Sequence, residues 1–342
     1  MAKSKKKKLF LVTGATGFVG SHVVRSTLDA GHSVRALVRA TSDTSDLERM
    51  KGVSLFVGDL TDPFSLEGVC DGVDGVLHTA CAVAGTFDSG ADTVRKFLSV
   101  NRDGSLHLAR EVLKHKGLRL VHLSSTAAMG TPVNARVDED SPCYPQTPYQ
   151  ISKREAELAL LRLHQNTGLD VVILRPCVIA GAGKSGGDLL KLFKLVKKGV
   201  FPFIGPRYDT RKPMIMVDDV VAAMLAASER GRSGEIYFVH SGGEYTMGEI
   251  VKTAGEILGV SRTHIPIPIP LAKAMAYGLK PITWIRPSWT AALTPERVDL
   301  FVADQQIDIS KTREELGYEP TVQSLRDMLE PTYEWHHARG EV

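Results

Sequence analysis

The sequence predicts an α/β fold, a doubly wound parallel sheet with a smaller C-terminal part, and three observations predict it. Short, fully apolar runs alternate with helical patterns through the first half of the chain. A glycine-rich turn stands directly between the first such run and the first helix. From about residue 180 the alternation gives way to glycines, prolines and mixed short elements. Continuous apolar strands are buried on both faces, which helices between parallel strands accomplish.

Taken in order, KLFLVTG (8–14) predicts the first strand and VGSHVVRSTLDAG (19–31) a helix ended by Gly31. SVRALVR (33–39), VSLFVGD (53–59), VDGVLHTA (73–80), LRLVHLSS (118–125) and VVILRP (171–176) predict the following strands. GAGKSGGD (181–188) reads as a loop and LLKLFKLVKKG (189–199) as an amphipathic helix. MIMVDDVVAAMLAASERG (214–231) reads as a short strand and another helix. The expected division is a basic disordered tail over 1–8, a dinucleotide-binding domain over 9–180 and a mostly substrate-binding part over 181–342. About 214–240 of that last part is expected to return to the first domain.

The 342 residues, 43% hydrophobic and 24% charged, suffice for a sizeable core. The net charge is only +3, and much of it lies in KSKKKK (3–8). No second basic cluster supports that tract as a nucleic-acid contact, so a solvated tail is expected and no nucleic-acid partner. Cys70, Cys81, Cys143 and Cys177 lie far apart, which points to a reducing, cytoplasmic setting. The histidines show no metal-ligand spacing, so no metal is expected, and His78, His107 and His122 read as core residues. No apolar run reaches the roughly 20 residues of a membrane helix. A peripheral membrane contact through IPIPIP (265–270) stays open.

VTGATGFVG (12–20) places Gly14, Gly17 and Gly20 between strand and helix. A chain that turns tightly and lets a pyrophosphate approach its backbone needs glycine, and the helix N-terminus then offers free N–H groups to the anion. The second strand ends at Arg39, with Arg35 earlier on it. A basic residue there favours the 2′-phosphate of NADP, where an acid would favour NAD. Asp59 and Leu60 just past the third strand form a place for adenine. Thr79 and Ala80 occupy a comparable strand end, and Asn101 a helix start.

In TPYQISKREAE (147–157), Tyr149 and Lys153 are four apart and share a helix face. A tyrosine pKa near 10 is too high for efficient proton exchange at neutral pH, and an ammonium nearby favours the phenolate. Ser124 or Ser125, after the fifth strand, stands where such folds bind ligands and offers a hydroxyl to a reacting oxygen.

Together TGATGFVG, VGDLTD, HLSSTAAMG, SPCYPQTPYQISKREAE and LRPCVIAGAG resemble the extended short-chain dehydrogenase/reductase superfamily, the NAD-dependent epimerase/dehydratase family. The resemblance implies a Rossmann-type domain and a catalytic Ser125, Tyr149 and Lys153, with Ser125 placed by its offset from Gly130. It extends the cofactor contacts to Thr16, Phe18 and Val19 in the glycine turn and to Pro176 and Val178, which with Arg175 match the segment that borders the nicotinamide. It also implies a homodimer.

HSVRALVRATSD is similar to the dihydroflavonol-reductase and 3β-hydroxysteroid-dehydrogenase-like branch, although TSDTSD lacks that branch's second basic residue. Nucleotide-sugar enzymes of the family carry an arginine before their equivalent of VDDV. Here Lys212 stands at its place and Arg211 one residue out of step. Phe201, Phe203, Ile204, Met214, Met216, IPIPIPLAKAMAYG and PITWIRPSW suggest an apolar substrate region. The expected function is an NADP-dependent oxidoreductase, with NAD possible, acting on a small apolar carbonyl or hydroxy compound. The alternative is an NAD-dependent nucleotide-sugar epimerase or dehydratase.

Overall fold

The computed structural model describes residues 7–83, 91–130, 136–205, 209–283, 295–322 and 324–342. Met1–Lys6 of the basic tail and 284–289 of PITWIRPSW lie outside the described residues. In chain order the elements are β1 (Leu9–Thr13), α1 (Phe18–Asp29), β2 (Ser33–Val38), α2 (Ser45–Glu48), β3 (Val53–Val57), β4 (Gly75–His78), α3 (Ala91–Phe97) and α4 (Gly104–Leu113). Next come β5 (Leu120–Leu123), β6 (Arg136–Val137), α5 (Pro148–Thr167), β7 (Val171–Pro176), β8 (Val178–Ala180), α6 (Gly187–Lys197), β9 (Phe201–Ile204) and β10 (Met214–Met216). Then follow α7 (Val217–Arg230), β11 (Glu235–Val239), α8 (Met247–Leu258), β12 (His264–Ile267) and α9 (Ile269–Thr283).

Seven strands form one sheet in the order β11-β7-β5-β4-β1-β2-β3, every neighbouring pair parallel. All four residues of β4 and of β5 and all six of β7 are buried, because helices cover both faces. Val23 and Val24 of α1 share one core with Val220, Val221 and Met224 of α7. Leu108 and Val112 of α4 share another with Leu160 of α5. A third core joins α6, α8, β9 and the helix Leu325–Ala338. β8 pairs with β10, so the strand following the sheet is met by the segment before α7.

In a parallel sheet all carboxyl ends face one way, and ligands bind outside them. That edge brings together Gly14 after β1, Thr79 after β4, Ser124 and Ser125 after β5 and Val178 beyond β7. The start of α5 is fixed independently by a capping box. Gln150 N–H donates to Thr147 Oγ1 (3.3 Å) and Thr147 N–H to Gln150 Oε1 (3.1 Å), with Pro148 opening the helix.

Candidate active site

The glycine turn is built by exclusion. Gly14 has φ +68°, and a Cβ there would lie 2.8 Å from the Ala80 backbone. At Gly20 a Cβ would stand 1.9 Å from the Gly14 carbonyl oxygen. The helix therefore packs directly on the turn, and Gly17 N–H closes it on Gly14 O (2.8 Å). The α1 N-cap, Gly17, brings no side-chain hydrogen bond, so the first N–H groups stay available to an anion. Thr16 is exposed and Phe18 and Val19 half-buried at this opening. A cradle that any side chain would fill fits the pyrophosphate of a dinucleotide.

Beside it, Thr79 hydroxyl donates to Thr13 O (2.7 Å) and Ala80 N–H to Thr13 Oγ1 (3.2 Å). Asp59 accepts from Thr61 N–H (2.8 Å) and hydroxyl (2.7 Å). The Thr61 bonds, with a contribution from the Arg39 charge, hold the Asp59 carboxyl below its usual range against a smaller effect of burial. Arg39 is exposed, while Arg35 donates to the Val69 (2.9 Å) and Asp71 (2.7 Å) carbonyls. Arg35 thus braces a loop, and only Arg39 of the two stands at the strand's carboxyl end. Leu60 is buried, its carbonyl bound by His107 Nδ1 (2.8 Å). Pro176 is buried and Val178 exposed.

The two serines separate in role. Ser124, buried, donates to Glu157 Oε1 (2.6 Å). Glu157 also takes Arg175 Nε (2.9 Å) and Nη2 (2.7 Å) in a bidentate pair that is wholly buried. Arg175 is therefore interior. Ser125, half-buried, receives Ala127 N–H (3.1 Å) as the cap of a 3₁₀ turn, Thr126–Met129, and its hydroxyl lies near enough to Tyr149 to favour the phenolate.

Burial and the nearby Cys81 thiol push the Tyr149 phenol up, and the Ser125 hydroxyl pulls it down. The Phe97 ring meets the Tyr149 ring edge-on at 6.0 Å. Lys153, only 2% exposed, donates its ammonium to the Leu123 carbonyl (3.0 Å). Asn101 is not at a helix start. It lies inside a π-helical turn, Leu98–Asp103, between α3 and α4, where its side chain takes Ala82 N–H (2.7 Å) and reaches Ser152 Oγ (2.9 Å). Single π turns concentrate at functional sites, and no periodicity in the sequence announces one.

The apolar residues expected around the substrate divide differently. Phe201, Phe203, Ile204 and Met214 are buried in the cores of the C-terminal part, packed among themselves and with Phe301. Arg211 is engaged by Asp304, through Nε (3.0 Å) and Nη2, and by Glu244 (3.3 Å). Lys212 donates to Ala303 O (2.6 Å), and burial lowers its pKa to about 8. Among the described residues no cluster of three or more His, Cys, Asp or Glu could hold a metal ion, and all four cysteines are free.

A dinucleotide cradle opening onto a tyrosine, a serine and a lysine defines an NAD(P)-dependent enzyme of the extended short-chain dehydrogenase/reductase type, acting on a CH–OH group. The chain belongs to the NAD dependent epimerase/dehydratase family, whose description matches residues 10–239. It is 31% identical over 339 residues to sterol demethylase protein B of Methylococcus capsulatus, covering 97% of this chain and 99% of the relative. It is 27% identical over 335 residues to a UDP-glucose 4-epimerase of Vibrio cholerae, covering 96% and 95%. The crystal structure of gox2253 superposes with a TM-score of 0.81 at 27% identity, over 98% of this chain and 100% of that one. No helix among the described residues is long and apolar enough to cross a membrane.

Proposed function

We propose that the protein is an NADP-dependent oxidoreductase that interconverts a carbonyl and an alcohol on a small apolar substrate. The observation that carries this is the meeting of Ser125 and Tyr149 at the carboxyl edge of the sheet, beside the glycine cradle. A bound nicotinamide dinucleotide supplies the hydride donor or acceptor. Tyr149 gives a proton to the carbonyl oxygen in reduction and takes it back in oxidation. Ser125 donates a hydrogen bond to the same oxygen and stabilises the charge that develops there. Lys153, seated on the Leu123 carbonyl, adds positive charge to this edge, the sign that favours a phenolate.

Gly14, Thr16, Gly17, Phe18, Val19 and Gly20 line the pyrophosphate end in this reading, Asp59, Leu60, Thr79 and Ala80 the adenosine, and Pro176 and Val178 the nicotinamide. Arg39 reads the 2′-phosphate. Residues 9–180 then carry the dinucleotide and most of 181–342 shapes the substrate, in a cytoplasmic dimer. The sterol-related name of one relative supports an apolar substrate. So does the engagement of Arg211 by two carboxylates, which leaves a nucleotide-sugar diphosphate no ready guanidinium at that position.

The second reading, a nucleotide-sugar epimerase that retains NAD, draws on the similarity to UDP-glucose 4-epimerase. Nucleotide analysis of purified protein followed by NADPH and NADH titration separates the two. Exchangeable binding that favours NADPH fits the reductase, and NAD(H) that survives purification overturns it. Arg39→Ala is expected to weaken NADPH about tenfold, the value of one charge-assisted contact, and to leave NADH within about twofold. In a ketone-reduction assay Tyr149→Phe is expected to abolish turnover with little change in dinucleotide affinity, and near-normal turnover would remove Tyr149 as the proton donor.

A further inference from the structure

We propose that His78 is a positioning residue: a directed run of hydrogen bonds from Ala80 through His78 to the Asn101 carbonyl, continued from the Asn101 side chain to the Tyr149 main-chain carbonyl, links the floor of the dinucleotide cradle to the backbone that carries the catalytic tyrosine, so that cofactor binding sets the place of Tyr149. The inference rests on the reading of Tyr149 as proton donor. His78 is 1% exposed and lies on β4 between Thr13 of β1 and His122 of β5 in the sheet register. Its Nδ1 meets Thr13 Oγ1 at 2.6 Å and its Nε2 meets Ser105 Oγ at 2.9 Å.

The direction of the chain follows from its ends. Ser105 spends its one hydroxyl proton on the Asn101 carbonyl (2.6 Å), so it must accept from His78 Nε2–H. A neutral imidazole has a single N–H, so Nδ1 accepts the Thr13 hydroxyl, and Thr13 Oγ1 accepts Ala80 N–H (3.2 Å). Burial, with the Lys153 charge, lowers the His78 pKa to about 3, which keeps the ring neutral. Beyond Asn101 the links continue from its side-chain amide to Ser152 Oγ (2.9 Å) and from Ser152 to the Tyr149 carbonyl (2.8 Å). Every proton from Ala80 to Tyr149 therefore has one assigned acceptor, and the π turn is the joint that lets Asn101 reach α5. Ala80 and Thr13 border the cradle at one end, and Tyr149 sits at the other.

The test has two arms, both on the full-length protein. Nitrogen-15 spectra of the histidine rings should show His78 as the Nε2–H tautomer, unchanged from pH 8 to pH 5. An Nδ1–H tautomer, or titration near the ordinary histidine value, overturns the chain. In the second arm, carbon-13 label in the tyrosine rings reports Tyr149, identified by the resonance lost in Tyr149→Phe. NADPH should shift this resonance in the wild type. Ser105→Ala and His78→Gln should each cut that response at least threefold while the NADPH dissociation constant changes less than about threefold. A full response in both variants overturns the coupling. Wild-type protein that binds neither NADPH nor NADH overturns both the coupling and the reading of the site, and the ring-nitrogen spectra still decide the direction of the chain.

Discussion

At the scale of single residues, the distance between Gly20 and Gly14 decides more than the glycine pattern itself. An alanine at 20 would set its Cβ 1.9 Å from a backbone oxygen that has no side chain to swing aside, so the turn would have to open by about an ångström. Displacements of that size in a positioned site cost up to about a hundredfold. Gly20→Ala is expected to lower dinucleotide affinity at least tenfold, measured by fluorescence titration. The three glycines were legible in the sequence because their chemistry is local. The different partners of Ser124 and Ser125 were not legible, since they depend on Glu157, which is 33 residues from Ser124 in the chain. Arg175 belongs to the same blind spot. Nothing in its segment, LRPCVIAGAG, announces that its charge is spent inside on Glu157.

At the scale of elements, α5 is held at both ends of its functional stretch. The capping box fixes its entry, and the buried Glu157–Arg175 pair ties it to β7. Removing one partner of such a pair leaves the other charge uncompensated in the interior. Glu157→Gln is expected to cost about 3–5 kcal/mol in urea unfolding, far more than the exposed Arg326–Glu330 pair contributes. The strands and helices of the first half were readable because apolar runs and 3.6-residue periodicity report burial directly. The π turn was not, for nothing in SVNRDG distinguishes five-residue from four-residue backbone bonding. Nor were the apolar residues of β9 and β10 separable into pocket and core, because hydrophobicity reports removal from water and not the identity of the neighbour that removes it.

For the whole molecule, the glycine-rich segment after β8 is fastened back onto α1. His22 bonds the Ala182 carbonyl (2.9 Å) and Asp218 (3.3 Å), linking that segment, α1 and the start of α7. The Asp218 bond raises the His22 pKa above its ordinary value, and burial opposes it. A raised folded pKa contributes stability below the unfolded value near 6.5, and that contribution is lost as pH rises through the folded pKa. The melting temperature is therefore expected to fall between pH 6 and pH 8 by on the order of 1–2 °C from this pair. In Asp218→Asn that part of the slope should disappear in calorimetric scans. The sheet order carries a different consequence, for the chain during its synthesis. β7 lies between β5 and β11, and all six of its residues are buried when the protein is complete. Until Glu235–Val239 has left the ribosome, β7 is an apolar strand with one row of backbone N–H and C=O groups unpaired, the kind of edge on which other chains assemble. A nascent chain stalled between β7 and β11 exposes that edge, and a fragment ending at residue 234 should aggregate faster than one ending at residue 240, measured by light scattering.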